Sequence, residues 1–95
     1  MPFKDAPNTA CLVCRHILTD KLPILFVSHD ADDGAWQFLC DVHSHDEENV
    51  SVIALHRAAA LDSSLELVTD LPLGFIATRV APDTEWDKRP TDNGN

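Results

Sequence analysis

The residues best equipped for chemistry are Cys11 and Cys14, spaced C-x-x-C, and Cys40 and His43, spaced C-x-x-H, with twenty-five residues between the two pairs. Three thiolates and one imidazole make a donor set suited to zinc, which takes soft sulfur and imidazole nitrogen tetrahedrally. His45 is a substitute for His43. Four protein ligands would close the shell, so the ion would be structural, a staple for a small domain.

A second reading treats the three thiols as core residues, since free cysteine behaves as a small buried apolar side chain. Residues three apart on a regular strand point to opposite faces. Cys11 and Cys14 can therefore share a metal only where the chain bends into a knuckle, and no Gly follows Cys14 to relieve such a turn. A third reading makes Cys40 a thiolate nucleophile with His43 as its base, although no orienting residue or oxyanion donor can be recognised beside them.

These residues need elements to position them. Cys11 to Leu18 is largely apolar and reads as a first strand, ended by the turn Thr19-Asp20-Lys21. Ile24 to His29 reads as a second strand, apolar on both faces at its start and so central. Asp30-Ala31-Asp32-Asp33-Gly34 ends in Asp-Gly, a turn signal, and Trp36 to Cys40 follows as a third strand with Trp36, Phe38 and Cys40 on one face. Val50 to Ile53 makes a short fourth strand. Ala54 to Leu61 has a helix-favouring composition, and Ser63-Ser64-Leu65-Glu66 has the form of a capping box opening a second helix. Leu71-Pro72 ends that helix, and Gly74 releases the chain into a last strand from Phe75 to Val80.

Short turns between successive strands favour an antiparallel meander. The expected fold class is α+β: a small, mainly antiparallel sheet of four to five strands with one or two short helices on one face. Residues 1–95 form a single domain, with a loose arm at 1–9, a compact body at 10–87 and a disordered tail at 88–95, and Trp86 folding back onto the body.

Other motifs carry less. Asp30-x-Asp32-Asp33-Gly34 resembles part of a calcium loop, but the distal Glu falls in no matching place and a hairpin turn is the better reading. Asp46-Glu47-Glu48 is a solvated loop or a surface for a basic partner. His16, His29 and His56 are isolated and take no role. With three Gly in all, there is no glycine-rich phosphate loop.

Sixteen acidic residues against seven basic ones give a net charge of -9, which argues against nucleic acid because phosphate neutralisation needs a basic patch. A basic protein partner suits that charge better, though acidity alone also keeps a small protein dispersed. No apolar run approaches the ~20 residues of a membrane span. The start of the chain lacks the pattern of a secretory signal, so a cytoplasmic location is expected, where a structural disulfide would be unusual.

Gly34-Ala35-Trp36-Gln37-Phe38-Leu39-Cys40, with Asp70-Leu71-Pro72-Leu73-Gly74 downstream, resembles small uncharacterised bacterial proteins related to the type-thirty-three immunity proteins of polymorphic toxin systems and their domain-of-unknown-function relatives. The likeness spans about Cys11 to Val80. It implies a compact α+β domain with a non-enzymatic binding, immunity or regulatory role, and it brings no catalytic residues. The His-rich loop after Cys40, and Cys14 itself, depart from the family pattern.

Overall fold

The computed structural model of the chain describes residues 8–32, 34–40 and 50–90. The chain runs β1 (Ala10–Cys14), α1 (Arg15–Asp20), β2 (Phe26–His29), β3 (Trp36–Leu39), β4 (Val50–Ala54), α2 (Leu55–Leu61), a 3-10 helix (Ser63–Val68), β5 (Phe75–Thr78) and β6 (Asp87–Pro90). The α+β class stands, but the sheet has six strands, in the order β4-β1-β3-β2-β5-β6, and the described residues include three short helices.

The first departure from expectation lies just after Cys14. The apolar run that reads as one strand to Leu18 instead breaks into β1 and a six-residue helix. Arg15 and His16 interrupt the run with polar side chains, and the helical turn still buries Ile17 in the core. Thr19 Oγ1 donates to the Arg15 carbonyl at 2.8 Å, and Lys21 ends the helix in the left-handed conformation at φ 60°, after which the Leu22 amide returns to the His16 carbonyl at 3.2 Å.

That helix changes the topology. β1 is not joined to β2 by a hairpin, so a gap opens between them that β3 fills. β3 therefore pairs antiparallel with β2, through Val27↔Phe38, and parallel with β1, through Val13↔Phe38. The sheet is mostly antiparallel, with one parallel pair at its middle rather than a simple meander. On the far side β5 pairs with β2, and β6 pairs with β5 through Ala77↔Lys88.

The register sets the core face. Val13, Phe38, Val27 and Ala77 lie opposite one another in successive strands, and all four are fully buried, as is Trp36 two residues before Phe38. Leu55 and Ala58 of α2, Leu65 and Val68 of the 3-10 helix, and Ile17 of α1 join them in one cluster. The other face is more open: Leu12 and Gln37 are half-buried, and Val52 is 66% exposed.

Two turn motifs take on structural meaning. The Phe75 amide reaches the Pro72 carbonyl at 3.1 Å, with Gly74 at φ 80° in the position that favours glycine. His29 secures the same turn: its ring Nδ1 lies 2.7 Å from the Leu71 carbonyl and must donate to it, while its ring stacks on Trp36 at 3.9 Å. The expected capping box gives way to a simple N-cap one residue earlier, which puts Leu65 rather than Glu66 at the third helical position. Asp62, not Ser63, is the N-cap, accepting from the Ser64 amide at 2.9 Å.

The chain after Thr78 differs from expectation as well. Trp86 packs against the core as expected, but Asp87–Pro90 form an edge strand where the tail was expected to begin. All four residues of β6 are exposed, the charged composition by which edge strands resist further pairing. Residues 91–95 and most of the arm lie outside the described residues.

Candidate metal centre

Parallel strands carry their carboxyl ends to the same end of a sheet. Cys14 is the last residue of β1, and Cys40 follows Leu39, the last residue of β3. The β1–β3 pairing thus delivers two thiols to one place from distant parts of the chain. His16 enters from the first turn of α1, two residues beyond Cys14.

The sulfur atoms of Cys14 and Cys40 and a ring nitrogen of His16 all lie within 4.8 Å of one another. Cys40 Sγ is 3.7 Å from His16 Nδ1, within the reach of a sulfur–imidazole hydrogen bond. Cys14 is fully buried, Cys40 is 8% exposed, and His16 is half-buried. The group therefore sits at the sheet end with its sulfurs covered and its imidazole reaching toward solvent.

Of the four ligands expected from sequence, the structure brings Cys14 and Cys40 together and leaves Cys11 out of the group. The reason is the alternation of β1: Cys11 shares the core face with Val13, whereas Cys14 has the opposite parity and meets the start of α1. Burial pushes the Cys11 thiol up to about 11, which keeps it protonated and unsuited to bind metal or attack an electrophile. His43 and His45 lie outside the described residues, as does the acidic run Asp46-Glu47-Glu48. The bend that a C-x-x-C knuckle needs does occur, but after Cys14 rather than between the two cysteines. His16, given no role from sequence, is the imidazole beside the thiols. Its signal was the C-x-H spacing at Cys14, which becomes meaningful only once a helix starts at Arg15.

The remaining polar motifs are used internally. Asp30 accepts from Gln37 Nε2 at 2.7 Å and from Ser28 Oγ at 3.2 Å, and its carbonyl accepts the Gly34 amide at 2.9 Å, the bonding of a hairpin turn rather than of a calcium loop. Arg79 is almost entirely buried, and its guanidinium reaches the Ile24 and Pro82 carbonyls, Ser64 and Asp62 while lying 4.2 Å over the Trp86 ring. Sequence reasoning missed this residue, because nothing local distinguishes it from a surface arginine.

No protein-family model, curated protein or solved structure matches the chain. Among the described residues, no helix is long and apolar enough to cross a membrane.

Proposed function

We propose that the chain is a non-enzymatic binding domain that holds one zinc ion through Cys14, His16 and Cys40. The observation that carries this reading is the convergence of two sulfurs and one imidazole nitrogen within 4.8 Å. Zinc–sulfur bonds of about 2.3 Å and zinc–nitrogen bonds of about 2.0 Å, set tetrahedrally, place sulfur and nitrogen roughly 3.6 Å apart and two sulfurs roughly 3.8 Å apart. The 3.7 Å between Cys40 and His16 already fits that edge. Soft sulfur with imidazole also disfavours magnesium and calcium, which take oxygen.

With three protein ligands the fourth tetrahedral position stays open to water or a further ligand, unlike the closed four-ligand shell expected from sequence, and the ion's hold on the fold would come from the three bonds it makes. It would tie the carboxyl ends of β1 and β3 to the start of α1 and so fix the one parallel pairing of the sheet. A link from Cys14 to Cys40 closes a loop of about 25 residues, worth about 3.5 kcal/mol in the chain-entropy picture of a cross-link. The net charge of -9 supports a basic protein as the partner of such a domain, and an immunity-type role rests on the motif resemblance at Gly34–Cys40 and Asp70–Gly74.

The test is metal analysis of the chain purified without chelator, together with its melting temperature before and after a strong chelator. About one zinc per chain and a melting point lowered by several degrees on chelation are expected. A metal-free chain whose melting is indifferent to chelator and to added zinc would end the proposal.

A further inference from the structure

We infer that Cys14 and Cys40 form a dithiol–disulfide couple, converted by an oxidant of the peroxide class into one intramolecular disulfide while Cys11 remains a free thiol. The inference shares its side chains with the zinc reading but not its chemistry, and it holds for the metal-free chain.

Geometry selects the pair. The β1–β3 register puts Cys14 beside Leu39, so Cys40 is its diagonal neighbour one residue on. A strand spacing of about 4.8 Å and a rise of about 3.3 Å per residue put such Cα atoms roughly 6 Å apart, inside the range of roughly 4.4–6.8 Å that disulfides require. The two Sγ atoms at the carboxyl ends of β1 and β3 are already within 4.8 Å. No disulfide joins any of Cys11, Cys14 and Cys40 in this structure. Cys11 has the opposite parity to Cys14 on β1 and is not part of the group.

The roles of the two sulfurs follow from their surroundings. Cys40 is the first to react: it keeps some exposure and has an imidazole nitrogen 3.7 Å away. The Cys40 sulfur attacks one oxygen of the peroxide, and its thiol proton is given up to the departing hydroxide. A sulfur–oxygen bond forms, the oxygen–oxygen bond breaks, and the departing hydroxide takes that proton and leaves as water. Cys14, wholly covered and out of reach of the oxidant, then attacks the sulfur of the Cys40 sulfenic acid. The sulfur–sulfur bond forms as the sulfur–oxygen bond breaks, and the second hydroxide leaves as water with the Cys14 proton. Two thiols and one peroxide give one disulfide and two waters. Were zinc held there, the same oxidation would remove both thiolate ligands and so release it.

The experiment uses the full chain, stripped of metal and kept reduced, then treated with one equivalent of hydrogen peroxide. Free thiols are counted before and after, and the disulfide is mapped by mass spectrometry. The expected result is a fall from three free thiols to one, a mass loss of two hydrogens, a Cys14–Cys40 cross-linked peptide, and full reversal by a dithiol reductant. Cys11→Ser should fall from two thiols to none with the same cross-link, which shows that the core thiol is a bystander. Retention of all three thiols, a disulfide containing Cys11, a disulfide between two chains, or a Cys40 sulfinic acid beside an intact Cys14 would each overturn the inference. Because the chain is metal-free, failure to bind zinc leaves this result standing, and a negative result here leaves the zinc reading untouched.

Discussion

One guanidinium nitrogen of Arg79 lies 2.7 Å from a carboxylate oxygen of Asp62, joining the end of β5 to the N-cap of the 3-10 helix. The Arg79 side chain is 1% exposed, while Asp62 keeps about a quarter of its surface in water. Removing the arginine would strand a partly buried carboxylate and leave the carbonyls of Ile24 and Pro82 without their donor. Arg79→Ala is expected to destabilise the fold by about 3 kcal/mol or more, the loss typical of breaking one side of a buried pair. Urea denaturation measures it directly. Arg79→Lys keeps the charge but not the planar fork, and should recover only part of the loss.

The same pair sets a dependence on pH. Burial alone would raise the Asp62 carboxyl, but hydrogen bonds from the Ser64 side chain and amide and from Arg79, with the charge of Arg79, outweigh it and hold the group below its ordinary value. A carboxyl lowered on folding stabilises the native state above its unfolded value of about 4, and that contribution is lost as pH falls through the lower folded value. Stability should therefore decline in acid below about pH 4, and Asp62→Asn should flatten that part of the curve. Equal slopes for the parent chain and Asp62→Asn would contradict the assignment.

Lys21 occupies the left-handed conformation without being glycine. A side chain there crowds its own backbone at a cost of roughly 1 kcal/mol. Lys21→Gly should raise stability by about 0.5–1 kcal/mol, since glycine is the usual residue just past a helix end. A β-branched replacement such as Lys21→Val should lower it. Equilibrium unfolding of the two variants gives the ordering.

The three cysteines should separate cleanly under alkylation. Cys11, held protonated in the core, is expected to react with iodoacetamide only as the native state opens, whereas Cys40 should label first and be protected by added zinc. Zinc protection of Cys11 in place of Cys40 would reverse the assignment of ligands.

How far the residues disclosed this structure depends on the kind of signal each element carries. Trp36 and Phe38 were legible as a core face because period-two alternation with large aromatics has few other solutions. The end of β2 at His29 and the start of β5 at Phe75 followed from the flanking turn residues, whereas β2 begins at Phe26 rather than Ile24, β4 runs one residue past Ile53, and β5 stops at Thr78 short of Val80. Helix α1 was hidden inside an apolar run, where neither period dominates. β6 was hidden because an exposed, charged edge strand has no apolar alternation to read. The parallel β1–β3 pairing is a property of strand order, which no local pattern encodes. For the same reason the candidate site was only half legible: Cys14 and Cys40 were recognised, while His16 required knowing that β1 ends at Cys14 and that a helix begins there. Asp62 displaced Ser63 as cap because Arg79, seventeen residues on, rewards a carboxylate at that position.

Cobalt(II) titration tests the metal centre most directly, because thiolate–cobalt charge transfer reports sulfur ligands and the d–d bands report their geometry. Binding through Cys14, His16 and Cys40 predicts tetrahedral d–d bands and thiolate charge transfer that saturate at one cobalt per chain. The spectrum should be unchanged in Cys11→Ser, lose about half its charge-transfer intensity or vanish in Cys14→Ser and Cys40→Ser, and shift in its d–d region in His16→Ala. Saturation without thiolate charge transfer, or a spectrum abolished by Cys11→Ser and untouched by Cys14→Ser, would contradict it.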